Sequence, residues 1–241
     1  MILRLLLTGA GGQTGGRVLA LAKADPGFAV AGRIGQEARA LPDADALIDF
    51  SVPEQTTRVA ARCAEAGLPL VTGTTGLDEA RQAAVANAAR AIPVVQSGNF
   101  SAGVAVLTAL TERAARLLGE DFDIEITETH HRRKKDAPSG TALLLGEAAA
   151  GARGTSLASA GVFGRAGRGE ARAPSEIGFA ARRGGGVFGD HETAFLAEEE
   201  VVTLGHRALS RDVFARGALR AAAWVQSRPP GLYAMRDVLG L

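Results

Sequence analysis

A cationic segment that ends in small hydroxyl residues is the part of this sequence best equipped for chemistry. Residues 125–142 read EITETHHRRKKDAPSGTA, in which His130 and His131 precede four consecutive Arg and Lys residues. The apolar–polar alternation over 124–127 predicts a strand before the basic run, and the ALLLGEAAA that follows predicts a helix. The first turn of a helix offers backbone N–H groups and the positive end of the helix dipole, which together bind anions. Histidines and lysines beside such a helix start suit a small substrate that carries carboxylates.

A different class of function is also compatible with the basic run. Six consecutive His, Arg and Lys residues are typical of a solvated surface or of a patch that contacts nucleic-acid phosphates. Two features favour a site: the run lies between a predicted strand and a predicted helix, and Pro138-Ser139-Gly140-Thr141 is a specific way to enter a helix. The net charge of +1, the single Trp and single Tyr, and the lack of a recognised DNA-binding motif count against nucleic acid.

The same segment resembles the signature of the dihydrodipicolinate reductase family, E-x-H-H-x-x-K-x-D-A-P-S-G-T-A. The matching residues are Glu128, His130, His131, Lys134, Asp136, Ala137, Pro138, Ser139, Gly140, Thr141 and Ala142. A pattern of about fifteen positions is far more specific than a glycine pattern alone. The resemblance extends over nearly the whole chain, with the family's motifs in the family's order.

The N-terminus predicts the first βα unit of a dinucleotide-binding fold. An apolar strand over Ile2–Leu7 leads into a glycine-rich turn and then into a helix over Gly16–Ala24. The strict G-x-G-x-x-G pattern fails at Thr14, but Gly9, Gly12 and Gly15 give a G-x-x-G-x-x-G variant. The alternative is a tight turn without a ligand. The residues predicted to bind the cofactor are Gly9, Ala10, Gly11, Gly12, Gln13 and Thr14.

The second predicted strand, Phe28–Arg33, lacks the acidic residue that usually contacts the cofactor's ribose. The first acid after it is Glu37, so Arg33 becomes a candidate partner for a 2′-phosphate. We therefore expect NADPH to be used at least as well as NADH, with an exposed strand-end arginine as the alternative. The connection over 35–45 is too short for a full crossover helix and shorter than is usual in the family.

Three further strand ends carry small residues at the edge where ligands bind in parallel sheets. The family's D-F-[ST]-x-P pattern matches Asp49, Phe50, Ser51 and Pro53, with Ser51 predicted to cap the helix that follows. Strands over Leu70–Thr72 and Pro93–Gln96 are each followed by a loop suited to a nicotinamide and its ribose, although ordinary turn chemistry is the alternative for both. The loop residues predicted to bind cofactor are Gly73, Thr74, Thr75, Ser97, Gly98, Asn99 and Phe100.

The predicted fold class is α/β, with a Rossmann-like dinucleotide-binding domain and a second α+β domain that contains an open mixed sheet. The first domain is discontinuous by family resemblance and is expected at 1–100 and 211–241. Residues 101–210 are expected to form the substrate-binding and oligomerisation domain. Within it, the Gly- and Arg-rich stretch 151–175 is interpreted as a mobile loop or an oligomer arm, and His191 as structural or interfacial.

Composition is that of an ordinary globular protein, with 46% hydrophobic and 22% charged residues. Cys63 is the only cysteine, so no disulfide framework exists within the 241 residues, which fits a reducing compartment. The N-terminal apolar run is too short for a membrane span. We expect a cytoplasmic location, no membrane partner and no metal site.

The resemblance implies a reductase of the diaminopimelate route to lysine that uses NADPH or NADH and assembles as a homotetramer. Its substrate would be a six-membered ring with two carboxylates and a C=N bond. The resemblance assigns His130 as the proton donor and Lys134 as a substrate-binding residue with a catalytic role, and it assigns carboxylate contacts to His131, Ser139, Gly140 and Thr141. Two alternatives are another nicotinamide-dependent dicarboxylate reductase and a nucleotide-sensing or nucleic-acid-binding protein.

Overall fold

The computed structural model describes residues 2–35 and 41–241, which form two compact units. The first unit contains the residues up to Ala102 together with Arg211–Leu241, and the second contains Gly103–Ser210. The expectation for the 35–45 connection falls largely on residues 36–40, which lie outside the described part of the chain. No helix in the described ranges is both long and apolar enough to cross a bilayer.

The first unit is built on a six-stranded sheet whose paired strands are all parallel. In spatial order the strands are β11 (Gly231–Tyr233), β5 (Pro93–Gln96), β4 (Leu70–Thr72), β3 (Ala46–Asp49), β1 (Leu3–Thr8) and β2 (Phe28–Arg33). The central strands are apolar runs because both faces of a parallel sheet are covered by helices. This architecture confirms the predicted Rossmann-like fold.

Five helices of the described chain belong to the first unit. They are α1 (Gln13–Ala24), α2 (Pro53–Ala66), α3 (Glu79–Ala88), α7 (Asp212–Val225) and α8 (Met235–Leu239). Helix α7 approaches the loop after β5 so closely that a Cβ on Gly217 would lie 1.7 Å from the carbonyl oxygen of Phe100. Only glycine permits this contact between two backbones. The C-terminal segment is therefore part of the support of a predicted cofactor loop.

The predicted helix cap at Ser51 is wrong. The N-cap of α2 is Val52, and no side chain caps the helix. The hydroxyl of Ser51 instead donates to Asp49 Oδ1 over 2.5 Å. A hydrogen bond to a charged carboxylate is stronger than one between a neutral hydroxyl and a backbone N–H. The Ser51 side chain therefore turns towards Asp49 and away from the helix.

The second unit contains the mixed sheet that the sequence predicts. Its strands, in spatial order, are β10 (Val201–Arg207), β9 (Asp190–Leu196), β6 (Asp123–His130), β8 (Ile177–Arg183) and β7 (Gly161–Val162). The helices are α4 (Ala102–Leu118), α5 (Gly140–Ala152) and α6 (Leu157–Ala160), and a single 3-10 turn spans Gly119–Asp121. Alternate residues of β6 are buried, and Ile124 and Ile126 join Leu145 and Phe195 in one apolar core.

Two stretches of the second unit differ from the sequence-based expectation or add to it. The sequence of Gly186–Leu196 predicts a single strand, but the strand begins only at Asp190. The glycine-rich residues before it form a turn in which Val187 O accepts the N–H of His131 over 2.8 Å. In the Gly- and Arg-rich stretch, Arg165 and Arg172 form ion pairs with carboxylates of the sheet, Glu125 being shared by both.

Candidate active site

Glu128, near the end of β6, has a buried carboxylate that accepts hydrogen bonds from three parts of the second unit. The Nδ1 of His130 lies 2.6 Å from its Oε2, and the backbone N–H of Ser139 donates to its Oε1 over 3.0 Å. The guanidinium of Arg183 donates to both oxygens over 2.7 Å each. A carboxylate that is 1% exposed would be very unfavourable without partners, and a bidentate guanidinium is among the strongest available.

These contacts determine the protonation of His130. Burial by itself would raise the pKa of Glu128, but hydrogen bonds from Arg183 and His130 outweigh it and hold the pKa below its ordinary value. A carboxylate ion can only accept, so the Nδ1 of His130 carries a proton and Nε2 is the nitrogen that gains or loses one. Burial lowers the pKa of His130, and Glu128 partly offsets that effect. The arrangement suits a general acid that protonates through Nε2.

His191 of β9 belongs to the same cluster. Its ring lies edge-on to that of His130, with 5.1 Å between ring centroids, and its Nε2 lies 3.1 Å from the hydroxyl oxygen of Ser139. Burial, followed by the charge of His130, lowers the pKa of His191 to about 4. His191 is therefore neutral near pH 7, and the sequence alone did not associate it with the site.

The start of α5 combines an occupied donor with open space. Ser139 caps the helix, since its hydroxyl oxygen accepts the N–H of Ala142 over 3.2 Å. Its own N–H is bound by Glu128, so the protein supplies the first anion at this helix start. Gly140 is exposed, and a Cβ added to it would meet no atom within 4 Å. The backbone of Gly140 therefore borders open space, and the neighbouring Thr141 is half-buried.

The two remaining predicted residues lie on the turn between β6 and α5. The N–H of Lys134 donates to the carbonyl oxygen of His131 over 3.0 Å, which closes the turn. The Lys134 ammonium lies 2.8 Å from Asp136 Oδ2, and its side chain is 21% exposed. Within the described chain, the Nδ1 of His131 is buried without a hydrogen-bond partner.

A second buried carboxylate, Asp49 at the end of β3, organises the carboxyl edge of the first unit's sheet. Among the described residues it accepts six hydrogen bonds, all from neutral donors on strand ends and on α2. The donors are the hydroxyls of Thr8, Ser51, Thr56, Thr72 and Thr74 and the backbone N–H of Ser51. These contacts join the residue before the glycine turn to one of the two predicted nicotinamide loops.

The glycine turn has the geometry of an anion cradle. Gly9 has φ +69°, and a Cβ there would lie 2.0 Å from the carbonyl oxygen of Phe50, so only glycine fits. The N–H of Gly12 donates to Gly9 O over 2.9 Å, and α1 begins at Gln13 without a side-chain cap or an acidic residue in its first turn. A Cβ on Gly11 would meet nothing within 4 Å. Exposed backbone at an uncapped helix start fits a pyrophosphate.

The other predicted cofactor residues lie on the same sheet edge. Gly98 lies close to Thr75, since a Cβ on it would be 3.8 Å from the methyl of that residue. Ser97 and Asn99 are bonded to each other, the Ser97 hydroxyl donating to Asn99 O over 2.7 Å. Of the remaining residues, three are half-buried, namely Ala10, Thr14 and Gly73, and two are buried, namely Thr74 and Phe100. Arg33, at the end of β2, is exposed.

Arg183 and Asp49 are the residues whose importance sequence reasoning missed. Asp49 stood in a recognised pattern, but only the packed strand ends reveal its hydroxyl donors. Arg183 lies 55 positions from Glu128 in the sequence, and the RRGGGVFGDH segment gives no signal that selects it over Arg182. Parallel pairing of β6 with β8 brings the two together.

Comparisons with known proteins agree over the whole length of the chain. The family model "Dihydrodipicolinate reductase, N-terminus" matches residues 3–100, and "Dihydrodipicolinate reductase, C-terminus" matches residues 103–239. A protein of Halorhodospira halophila named 4-hydroxy-tetrahydrodipicolinate reductase is 47% identical, with 100% of both chains covered. A protein of the same name from Parvibaculum lavamentivorans is 53% identical over 83% of this chain and 74% of its own.

Solved structures agree on the fold. The structure of a dipicolinate-bound dihydrodipicolinate reductase from Paenisporosarcina sp. TG-14 superposes with a TM-score of 0.79 at 20% identity, covering 98% of this chain and 99% of that one. A myo-inositol dehydrogenase from Corynebacterium glutamicum gives a TM-score of 0.59 at 14% identity, over 96% of this chain and 90% of that one. Two family models that together span the sequence, and relatives near 50% identity, establish the identity that the signature suggested: the chain belongs to the dihydrodipicolinate reductase family.

Proposed function

We propose that this chain reduces 4-hydroxy-tetrahydrodipicolinate to tetrahydrodipicolinate with NAD(P)H, the 4-hydroxyl leaving as water, in the diaminopimelate route of lysine biosynthesis. Its family membership and the names of its full-length relatives support an oxidoreductase of this kind. The single structural observation that carries the proposal is that one buried carboxylate, Glu128, binds both a histidine suited to proton transfer and the N-terminus of an anion-binding helix.

In the proposed reaction His130 donates the proton. Its Nδ1 is held by Glu128, so the imidazolium presents its second proton at Nε2. Lys134, on the turn before α5, supplies the charge that attracts and orients a dicarboxylate. Its present partner, Asp136, is largely exposed and competes weakly for the ammonium in water.

The substrate's carboxylates bind at the start of α5 and at the preceding turn. The proposed donors are the exposed backbone of Gly140, the half-buried Thr141 and the ring of His131. Ser139 contributes by shaping the helix start, since its N–H and hydroxyl have partners within the protein.

The cofactor binds along the carboxyl edge of the first unit's sheet. The turn Gly9–Thr14 holds the pyrophosphate, and the loops at Gly73–Thr75 and Ser97–Phe100 hold the nicotinamide ribose region. When bound, the nicotinamide supplies the hydride. We accordingly assign cofactor binding to residues 1–100 and 211–241. Residues 101–210 are assigned substrate binding and oligomerisation.

Arg33 gives this protein at least equal use of NADPH. It lies exposed at the end of β2, and the described strand Phe28–Arg33 carries no acidic residue that would repel a 2′-phosphate. Arg33→Ala should lower kcat/KM for NADPH by about 10–100-fold, the value of a hydrogen bond to a charged group, and leave NADH nearly unchanged. A wild-type preference for NADH that the variant retains would remove Arg33 from the site.

The proposal includes a cytoplasmic homotetramer with a small-molecule dicarboxylate as its substrate and no nucleic-acid partner. Sedimentation at several protein concentrations tests the assembly. Titration of duplex and single-stranded DNA at low salt tests the alternative use of the basic loop, whose Arg132, Arg133 and Lys135 are exposed. Binding that weakens steeply with salt would favour the nucleic-acid reading.

The deciding experiment follows the oxidation of NADPH and NADH with substrate made in situ from pyruvate and aspartate semialdehyde. Oxidation should depend on both precursors and on the synthase that condenses them. A reaction mixture without pyruvate is the matched control. No turnover with either cofactor, at saturating substrate and with folded protein, would refute the proposed function.

A further inference from the structure

The carboxylate of Glu128 joins groups that the proposed reaction uses for different purposes. Its Oε2 accepts from the ring of His130, the proposed proton donor. Its Oε1 accepts from the N–H of Ser139, where the proposed carboxylate-binding helix begins. A change in the charge or position of this one group must therefore reach both halves of the site.

Arg183 opposes Glu128 in its effect on His130. The guanidinium binds both carboxylate oxygens, so it competes with the imidazole for the same negative charge. It also donates to the carbonyl oxygen of Asp136 over 2.6 Å, which anchors the turn between β6 and α5. Its side chain is 20% exposed, so water screens this contact only in part.

We propose that Arg183 and Glu128 act together as positioning residues for the reaction assigned to this chain. Glu128 keeps the proton on Nδ1 of His130, stabilises the imidazolium and fixes the first N–H of α5. Arg183 holds the carboxylate in place and limits how strongly it stabilises the imidazolium. The proposal rests on the proposed function for its kinetic consequences, but the proton equilibrium of His130 can be measured without any reaction.

Other titratable groups lie around His130. Lys134, on the turn that follows β6, disfavours the imidazolium, and its own partner is Asp136. His191 of β9 packs edge-on against the ring, and His206 of β10 lies 6.4 Å from His191 between ring centroids. The Ser139 hydroxyl is the neutral group at the α5 end. Removal of Glu128 should lower the pKa of His130, whereas removal of Arg183 or of Lys134 should raise it.

The test compares Glu128→Gln with Arg183→Met by the pH dependence of kcat/KM. An acid works in its protonated form, so activity falls as pH rises through the pKa of His130. Glu128→Gln removes the stabilising charge and should move this falling limb to lower pH. Arg183→Met frees the carboxylate for His130 and should move the limb to higher pH. Glu128→Gln should also lower kcat about tenfold or more, a part of the roughly 10²–10⁴-fold that acid catalysis contributes.

Nitrogen NMR of the histidine rings gives the second readout. The chain has four histidines, and a His130→Asn sample identifies the resonances of His130. In the wild type these should report a neutral ring protonated at Nδ1, with the titration midpoint shifted down in Glu128→Gln and up in Arg183→Met. If wild-type protein reduces no substrate, the proposed function fails while this titration still decides the positioning proposal.

Control variants separate positioning from simple damage. Arg182→Met removes the neighbouring arginine, which binds Thr129 Oγ1 rather than Glu128, and should leave both readouts unchanged. Arg183→Lys keeps the charge and should restore most of the wild-type limb. If Arg183→Met does not fold, the neutral pair Glu128→Gln/Arg183→Met takes its place, and its His130 should titrate below wild type. Limbs that move in the same direction, or do not move, would overturn the proposal.

Discussion

Asp49 and Glu128 are both buried carboxylates near the end of a strand, yet the two units satisfy them in different ways. Asp49 accepts six hydrogen bonds from neutral donors in the described chain, five of them hydroxyls. Glu128 accepts from a guanidinium, an imidazole and one backbone N–H. Neutral donors hold loops in a fixed shape, whereas an imidazole partner ties the carboxylate to a ring that can gain and lose a proton. The difference matches a scaffold for a cofactor in one unit and a proton-transfer site in the other.

The largest expected effect comes from removing the titratable partner of Glu128. His130→Gln should lower kcat about 10²–10⁴-fold with a small change in substrate affinity, because acid catalysis is lost and binding donors remain. Lys134→Ala should instead weaken binding and turnover together. Steady-state kinetics at fixed pH measures both. Wild-type kinetics in the two variants would show that neither residue acts in the reaction.

Asp49→Asn probes the carboxylate that accepts from neutral donors and should act on the cofactor side. The new amide group faces hydroxyls of Thr56, Thr72 and Thr74, which must turn to accept from it. The expected cost is about 1–3 kcal/mol of folding stability, together with weaker NADPH binding. Chemical unfolding and calorimetry with NADPH are the measurements, and the NMR titration of His130 should be unchanged. Altered NADPH affinity with a shifted His130 would break the proposed division of roles.

A smaller expected effect is the contribution of Glu128 to the loss of folding stability at acidic pH. Its pKa in the folded protein is lowered from the ordinary 4.5, so the folded state binds the proton less tightly than the unfolded chain does. The stability that this group contributes is complete above about pH 4.5 and is lost as pH falls through the lower folded value. Thermal unfolding from pH 6 downward should show this loss in the wild type and less of it in Glu128→Gln. Parallel curves would contradict the assignment.

The smallest expected effect concerns the start of α5. A planar pyridine dicarboxylate should compete with the substrate, because it presents two carboxylates at a similar separation. Thr141→Val removes one hydroxyl donor and should raise the inhibition constant about 2–10-fold. Thr203→Val, an exposed threonine on β10, is the matched control. Equal inhibition in all three proteins would place the inhibitor elsewhere.

Much of the architecture was readable from local sequence, whereas the partners of the buried carboxylates were not. The strands Leu70–Thr72 and Pro93–Gln96 have the bounds that were predicted, because apolar patterning and turn residues define them locally. The cap at Ser51 was wrong because a nearby carboxylate captured its hydroxyl.

The candidate site likewise contains some residues that local sequence identified and one partner that it did not. Glu128 and His130 are two positions apart, so one motif contained both. Their partner Arg183 arrives from a parallel strand far along the chain. Which residues face each other across two paired strands depends on the register of the sheet. The sequence contains no periodicity or spacing from which that register can be identified.

The contact between Gly217 and Phe100 has a consequence for synthesis on the ribosome. The loop after β5 packs directly on the backbone of α7, and the sheet of the first unit ends in β11. Helix α7 and strand β11 emerge from the ribosome only after the entire second unit, Gly103–Ser210, has been made. Nascent chains should therefore protect the second unit from protease first, although its residues come later than most of the first unit. The N-terminal strands of the sheet stay partly exposed until the last thirty or so residues, which complete the first unit, have been made.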